Sequence, residues 1–212
     1  AEQAIVRALH KAYPSDAIIG EEEGFHYGNE NSVRRWVIDP LDGTTNFLHQ
    51  FPLFCTSIAL IQEGKIESGL IYCPLLSEYF AASRGDGARC NQHRIRVSKK
   101  TSFSESLALT NFVGHVPGWP QEQCRNLPKL FPEIAGIRST GSAALNLAYL
   151  AANRVDVLWM AGLKPWDMAA GILIAQEAGA LVTDFKGENA MLQTGEVVAA
   201  NIHLHPKLIA HV

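Results

Sequence analysis

The stretch Trp36-Val37-Ile38-Asp39-Pro40-Leu41-Asp42-Gly43-Thr44-Thr45-Asn46-Phe47 constrains this chain more than any other. Val37 and Ile38 suit a strand interior. Pro40 removes a backbone donor and holds Asp39 extended, which predicts a strand that breaks there. Gly43 permits a positive φ or a close approach of backbone to a ligand. Thr44, Thr45 and Asn46 are cap-type residues, so a helix is expected to open there with free N–H groups toward an anion. Carboxylates for a hard cation, followed at once by hydroxyls and N–H groups for a phosphate, are the layout of a metal-dependent phosphoryl-transfer site. A strand end followed by a Pro-x-Asp-Gly turn accounts for the same residues without any ligand. On this stretch alone the two readings stand level.

The rest of the chain has room for such a site. Its 212 residues suffice for one large domain or two small ones, and a hydrophobic content of 47% supports a core. The formal net charge of −3 gives no basic surface for nucleic acid or an anionic membrane. No apolar run reaches membrane-spanning length, and nothing reads as a signal peptide. Cys55, Cys73, Cys90 and Cys124 form no CxxC. They read as free thiols of a reducing, cytoplasmic compartment, neither a zinc site nor a disulfide frame. The chain begins at Ala1 inside a helical pattern and without an initiator Met, which predicts further sequence upstream.

Ala4, Ile5, Ala8, Leu9 and Ala12 share one face of a helix that ends at Pro14. Ala17 to Gly20 is a short strand leading to Glu21-Glu22-Glu23. Three glutamates in a row are ordinarily a solvated turn, although one at a strand end could reach a metal. Phe25 to Arg35 has no period and reads as loop. Beyond the central motif, Phe54 to Leu60 and Ile66 to Tyr72 form a hairpin around Gln62-Glu63-Gly64-Lys65. Strands follow at Glu78 to Ala82 and Ala88 to Val97. Arg84-Gly85-Asp86 spells an adhesion tripeptide by chance. Strands are expected at Leu107 to Thr110, Ile134 to Ile137, Val155 to Trp159, Leu181 to Asp184 and Val197 to Ala200. Between them lie a helix capped by Thr140-Gly141-Ser142, a helix opened by Trp166-Asp167, and a terminal helix from Pro206 to Val212. Asn111 to Lys129 reads as loop with at most a short helix. An antiparallel first half and an α/β second half predict two sub-domains, 1–103 and 104–212, with a site in the cleft between them. His203 and His205 read as surface residues, and no HExxH occurs.

Gly20-Glu21-Glu22, the central motif from Asp39 to Phe47, and Pro165-Trp166-Asp167-x-Ala169-Ala170-Gly171 resemble the inositol monophosphatase family in order and spacing. Within it the chain is most similar to bacterial members of the extragenic-suppressor type. The resemblance covers essentially the whole chain. It implies a layered αβαβα sandwich, usually dimeric, and a phosphatase that uses two or three Mg²⁺ ions and is inhibited by Li⁺. It assigns metal ligation to the side chains of Glu21, Asp39, Asp42 and Asp167 and to the Leu41 carbonyl. Gly43 and Thr44 match the phosphate-binding turn, and Thr44 also matches the hydroxyl that positions the attacking water. Gly141, Ser142 and Ala143 match the wall of the alcohol pocket. The resemblance further implies a small phosphate monoester as substrate, hydrolysed by metal-activated water without a covalent intermediate.

Two departures from the family pattern matter. Glu2 matches a family glutamate whose upstream aspartate, the partner of the threonine, would precede Ala1. Met160 stands where inositol-specific members carry a glutamate, and a thioether does not accept hydrogen bonds as a carboxylate does. That puts strict inositol 1-phosphate specificity in doubt. Two rivals remain. Aspartyl-nucleophile phosphatases use Asp-x-Asp-Gly-Thr, whereas two residues separate Asp39 from Asp42 here. A regulatory protein associated with RNA or the transcription machinery is the other, but Arg34-Arg35 and Lys99-Lys100 are only small basic pairs.

Overall fold

Residues 1–29, 32–112 and 127–212 are described by the structure, a computed structural model. The elements run α1 (Glu2–Ala12), β1 (Ala17–Gly20), β2 (Gly24–Tyr27), β3 (Arg34–Asp42) and α2 (Thr44–Leu48). Then come β4 (Cys55–Gln62), β5 (Lys65–Cys73), β6 (Glu78–Ser83), β7 (Gly87–Cys90), β8 (His93–Arg94), β9 (Leu107–Thr110) and β10 (Gly136–Arg138). The described chain closes with α3 (Ala143–Ala151), β11 (Val157–Met160), α4 (Pro165–Glu177), β12 (Leu181–Thr183), α5 (Met191–Thr194), β13 (Val197–Ala200) and α6 (His205–Ile209).

Among the described residues two sheets result, one of eight strands in the order β2-β1-β3-β4-β5-β6-β7-β8 and one of five in the order β10-β9-β11-β13-β12. The first is antiparallel apart from the β1–β3 pair. The second mixes parallel β10–β9 and β9–β11 with antiparallel β11–β13 and β13–β12. A single core joins Ile71 and Phe80 of the large sheet to Leu158 and Met160 of the small one through α3 and α4. A second cluster, with Trp159, Val198 and Leu208, covers the outer face of the small sheet. A third joins Val6 of α1 to Ile18 and Ile38 on the far side of the large sheet. The layers are therefore α1, large sheet, α3 with α4, small sheet and α6, the αβαβα sandwich expected.

The hairpin turn behaves as its sequence demands. Gln62 pairs with Lys65, and Glu63 and Gly64 both take positive φ, at 50° and 76°, the geometry that matches strand twist. Several expectations need correction. Strand β3 does not stop at Pro40; its pairing with β4 slips between Asp39 and Asp42 and resumes at Asp42–Cys55. The Pro40 carbonyl accepts a hydrogen bond from Thr56 Oγ1 at 3.0 Å. The segment read as loop from Phe25 begins as β2, an edge strand of four residues whose Phe25 and Tyr27 face outward while His26 faces inward, so its alternation is short and inverted. The buried face of α1 carries Glu2 and Val6, flanked by Ile5 and Leu9, while Ala4, Ala8 and Ala12 are exposed. The strand expected over 88–97 breaks at Asn91, which takes φ 52° and accepts from the Tyr79 N–H. Helix α5 was not anticipated. His205 is buried and lies 3.0 Å from Thr183 Oγ1 through Nε2. The Arg84-Gly85-Asp86 loop is tied inward, since the N–H groups of Gly85 and Gly87 both donate to the Glu177 carboxylate at 2.8 Å. Most of the loop expected over 111–129, with Cys124, lies outside the described residues.

Helix α4 is buried from Met168 to Ala175 and docks through two glycines. A Cβ on Gly69 of β5 would stand 2.8 Å from the Ala170 carbonyl, and one on Gly171 would stand 2.5 Å from Leu147 of α3. In an exposed helix Gly→Ala stabilises by about 1 kcal/mol. Here overpacking reverses the sign. Gly171→Ala should lose about 1–3 kcal/mol, read as a lower urea midpoint with unchanged m-value; a midpoint equal to or above that of the parent would refute this packing.

Candidate metal centre

Three elements deliver three carboxylates to one place. Glu21 follows β1, Asp39 lies near the end of β3, and Asp167 sits in the first turn of α4. One oxygen from each can be chosen so that all three lie within 4.8 Å of one another. Glu21 is fixed from behind, because its N–H donates to the Ile38 carbonyl at 3.0 Å. Asp39 is 1% exposed, and its Oδ1 accepts from the Leu41 N–H at 2.9 Å. Asp167 caps its own helix, with Oδ2 accepting from the Lys164 N–H at 2.7 Å. The helix start is itself moored to the large sheet, since Ser57 Oγ donates to the Trp166 carbonyl at 3.0 Å. Asp167 is thus a helix-capping residue and a member of the cluster together.

The structure does not place Asp42 in that trio. Its carboxylate turns to the N-terminus of α3, where Oδ2 accepts from Ser142 Oγ at 2.5 Å and from the Ala144 N–H at 2.8 Å, and Oδ1 from the Ala143 N–H at 3.2 Å. Cys55 Sγ lies 3.6 Å away, also toward Oδ2. A buried carboxylate seeks donors, and a helix N-terminus supplies them. The Leu41 carbonyl accepts from Thr44 Oγ1 at 3.0 Å. The hydroxyl expected to face water and the carbonyl expected to face a metal therefore meet each other.

Gly43 takes φ 93° as the cap of α2, and a Cβ there would come within 3.0 Å of the Leu53 carbonyl. No other residue type fits that position without strain. Gly141, Ser142 and Ala143 line a cleft of about 430 Å³, as do Asp42 and Asp167. Met160 does not line it: the residue is fully buried, and its sulfur accepts from the Asn146 amide at 3.5 Å. Asn146 is on the wall and Met160 is behind it. Sequence reasoning missed the role of Asn46. Its amide donates to the Leu53 carbonyl at 2.6 Å and to the Thr140 carbonyl at 2.7 Å, bracing the central motif against the Gly141 loop. Nothing local marks that partner, which lies 94 residues away.

Burial and mutual repulsion dominate the electrostatics. Asp39 is pushed up to about 9 by burial, then by the charges of Asp42 and Glu21. Asp167 is pushed up to about 7, again by burial first, against the opposing Lys164 N–H. Glu21 is raised by burial, with a hydrogen bond to Asp39 working the other way. Burial also raises Asp42, although Ser142, Ala144 and Ala143 oppose it. Among the described residues no ion pair with Lys, Arg or His neutralises any of the four. Three crowded carboxylates offering only oxygen fit a hard divalent cation such as Mg²⁺.

A carboxyl raised on folding keeps its proton after the unfolded chain has released it. Its contribution is fully present below the unfolded pKa and is lost as pH rises toward the folded value. Thermal midpoints measured in EDTA should therefore decline from about pH 7.5 to about pH 8.5, above most of the range in which unfolded histidine titrates. Added Mg²⁺ should raise the midpoint more at the alkaline end than at the acid end. A midpoint in EDTA that is flat or rises with pH would contradict these shifts.

Residues 1–212 match the family model described as the inositol monophosphatase family. The Nus factor SuhB of Pseudomonas aeruginosa is 46% identical over 220 residues, covering 100% of this chain and 79% of that protein. Among solved structures, the extragenic suppressor protein suhB of Bartonella henselae has a TM-score of 0.94 at 43% identity, over 99% of this chain and 80% of that one. Inositol monophosphatase from Anabaena has a TM-score of 0.92 at 37% identity, over 99% and 83%.

Proposed function

The chain belongs to the inositol monophosphatase family, and from that premise we propose that it is a Mg²⁺-dependent phosphomonoesterase acting on inositol 1-phosphate or a related sugar or polyol phosphate. Family membership supports phosphatase chemistry. The observation that carries the metal dependence is the convergence of Glu21, Asp39 and Asp167 within 4.8 Å, with no ion pair to Lys, Arg or His at any of the three among the described residues. In this reading those three carboxylates hold the cation, with Asp42 and the Leu41 carbonyl beside them. When bound, Mg²⁺ supplies Lewis-acid charge stabilisation and water activation. The chain's own part is to hold the ester. The Gly43–Thr44 turn faces the phosphate, and Gly141, Ser142 and Ala143 wall the alcohol. Thr44 Oγ1, which donates to the Leu41 carbonyl, is the hydroxyl that would position the attacking water.

A broader substrate range than inositol 1-phosphate alone is supported by the cleft wall at Asn146, which offers a neutral amide already engaged by Thr140 and by Met160 behind it, with no carboxylate at either residue. The same reading includes inhibition by Li⁺, association as a homodimer and residence in the cytoplasm. Among the described residues no helix is long and apolar enough to cross a membrane.

Phosphate release should depend on Mg²⁺, vanish in EDTA and fall with Li⁺. Asp39→Asn should lower kcat/KM by at least about a hundredfold without loss of fold. Turnover that survives EDTA, or a labelled phospho-aspartate trapped from substrate, would sink the reading.

A second reading comes from the relatives described as Nus factor SuhB, a name that points to the transcription machinery. A partner retained equally by the parent and by Asp39→Asn, with no phosphatase activity in either, would favour that role over catalysis.

A further inference from the structure

We propose that Glu2 is a positioning residue of the metal centre: it clasps the backbone beyond Glu21, holds that turn against β3 and so sets the affinity for the divalent cation. The inference rests on the metal-site reading above. Glu2 stands in the first turn of α1, where an acidic side chain ordinarily reaches into solvent and complements the helix dipole. Here it is 5% exposed and points across to another element. Its Oε2 accepts from the Glu22 N–H at 3.1 Å and its Oε1 from the Glu23 N–H at 3.1 Å. His26 Nε2 of β2 lies 2.7 Å from the same Oε1. One carboxylate thus binds the two amides that directly follow the metal-cluster residue, while the Glu21 amide is spent on Ile38 of β3.

The chain has kept space for this clasp. A Cβ on Gly20 would lie 2.3 Å from the Glu2 carboxyl carbon and 2.4–2.5 Å from its oxygens. Gly20 has no positive φ, so its lack of a side chain answers to the Glu2 carboxylate and not to backbone strain. The turn carries three adjacent glutamates, whose charges would drive it outward if the two amides were left to water. Glu21 would then leave Asp39 and Asp167. Burial works to raise the Glu2 pKa, yet the Glu22 N–H, His26 and the Glu23 N–H hold it below the usual range. The clasp is therefore an ionised acceptor, the strong form of such a bond. Partners that orient a metal ligand from behind typically change affinity by about 10–100-fold when removed.

The test is Mg²⁺ titration by calorimetry on the parent chain, Glu2→Gln, Glu2→Ala, Gly20→Ala and the Asp39→Asn control, with folding checked by circular dichroism in EDTA. Gly20→Ala evicts the clasp while leaving Glu2 and His26 in the chain. Glu2→Gln keeps the shape but turns one acceptor into a donor. Both variants should fold and bind Mg²⁺ about tenfold or more weakly. Turnover should recover at raised Mg²⁺ with kcat near the parent value, which a purely structural loss would not show. Folded Glu2→Gln and Gly20→Ala proteins with Mg²⁺ affinity within about twofold of the parent would overturn the proposal. So would collapse of the fold in both, which would assign Glu2 to folding alone. A parent that binds no Mg²⁺ above the Asp39→Asn control removes the metal-site reading itself, an outcome distinct from variants that bind as well as a binding parent.

Discussion

Everything near the cleft depends on how one carboxylate is seated. Asp42 ends the strand that carries the central motif, and its two oxygens are taken by Ser142 and the first amides of α3, 100–102 residues further on. A buried carboxylate with fewer donors would carry a penalty of several kcal/mol. Here the helix N-terminus offsets it, and the contact fixes where α3 begins relative to β3. Asn46 repeats the tie beside it, with carbonyls from both sides. Ser57 moors the start of α4 to the large sheet in the same manner. Three polar bridges, all between distant stretches, thereby place Asp39 and Asp167 opposite each other.

The apolar frame sets the coarse geometry that these bridges refine. Helix α4 meets β5 at Gly69 and α3 at Gly171, where backbone approaches backbone or the Leu147 side chain with no room for a methyl group. Contacts of that kind have little slack, because the facing atoms are backbone or the fully buried, close-packed Leu147 side chain. The depth at which Asp167 enters the cluster follows from them. The electrostatic strain that the cluster stores is carried by this frame, for among the described residues no ion pair neutralises it.

Much of this was legible in the sequence, and the part that was not shares one cause. Asp39, Gly43 and the strand before them stand in one short stretch whose chemistry can be read locally. The hairpin at Glu63-Gly64 and the cap at Ser142 are local too. The partner of Asp42 was not legible: an aspartate near a turn gives no sign of whether it will face a metal or a helix end 100 residues away. The same holds for Asn46, and for Glu2, whose burial turned α1 away from its alanine face. Strand β2 escaped notice because four residues are too few to show a period, and its aromatics alternate on the exposed face instead of the buried one. Met160 shows the opposite case, since its chemistry was plain from the sequence but its place behind Asn146 was not.

The spacing of these bridges also bears on how the molecule comes together in time. Asp42 must find Ser142, and Ser57 must find Trp166 across 109 residues, before three acids can face one another. Contacts so far apart in the chain close late, because the loop entropy they cost is regained only when the intervening core has formed. The hairpin of β4 and β5 and the helix at Ala143 can form early from neighbours. The acidic cluster is then among the last features to exist, and its repulsion is met by a nearly finished core instead of by a collapsing chain. The hydrogen-bonded bridges made that late hold the native state by slowing its unfolding and leave the speed of folding almost untouched.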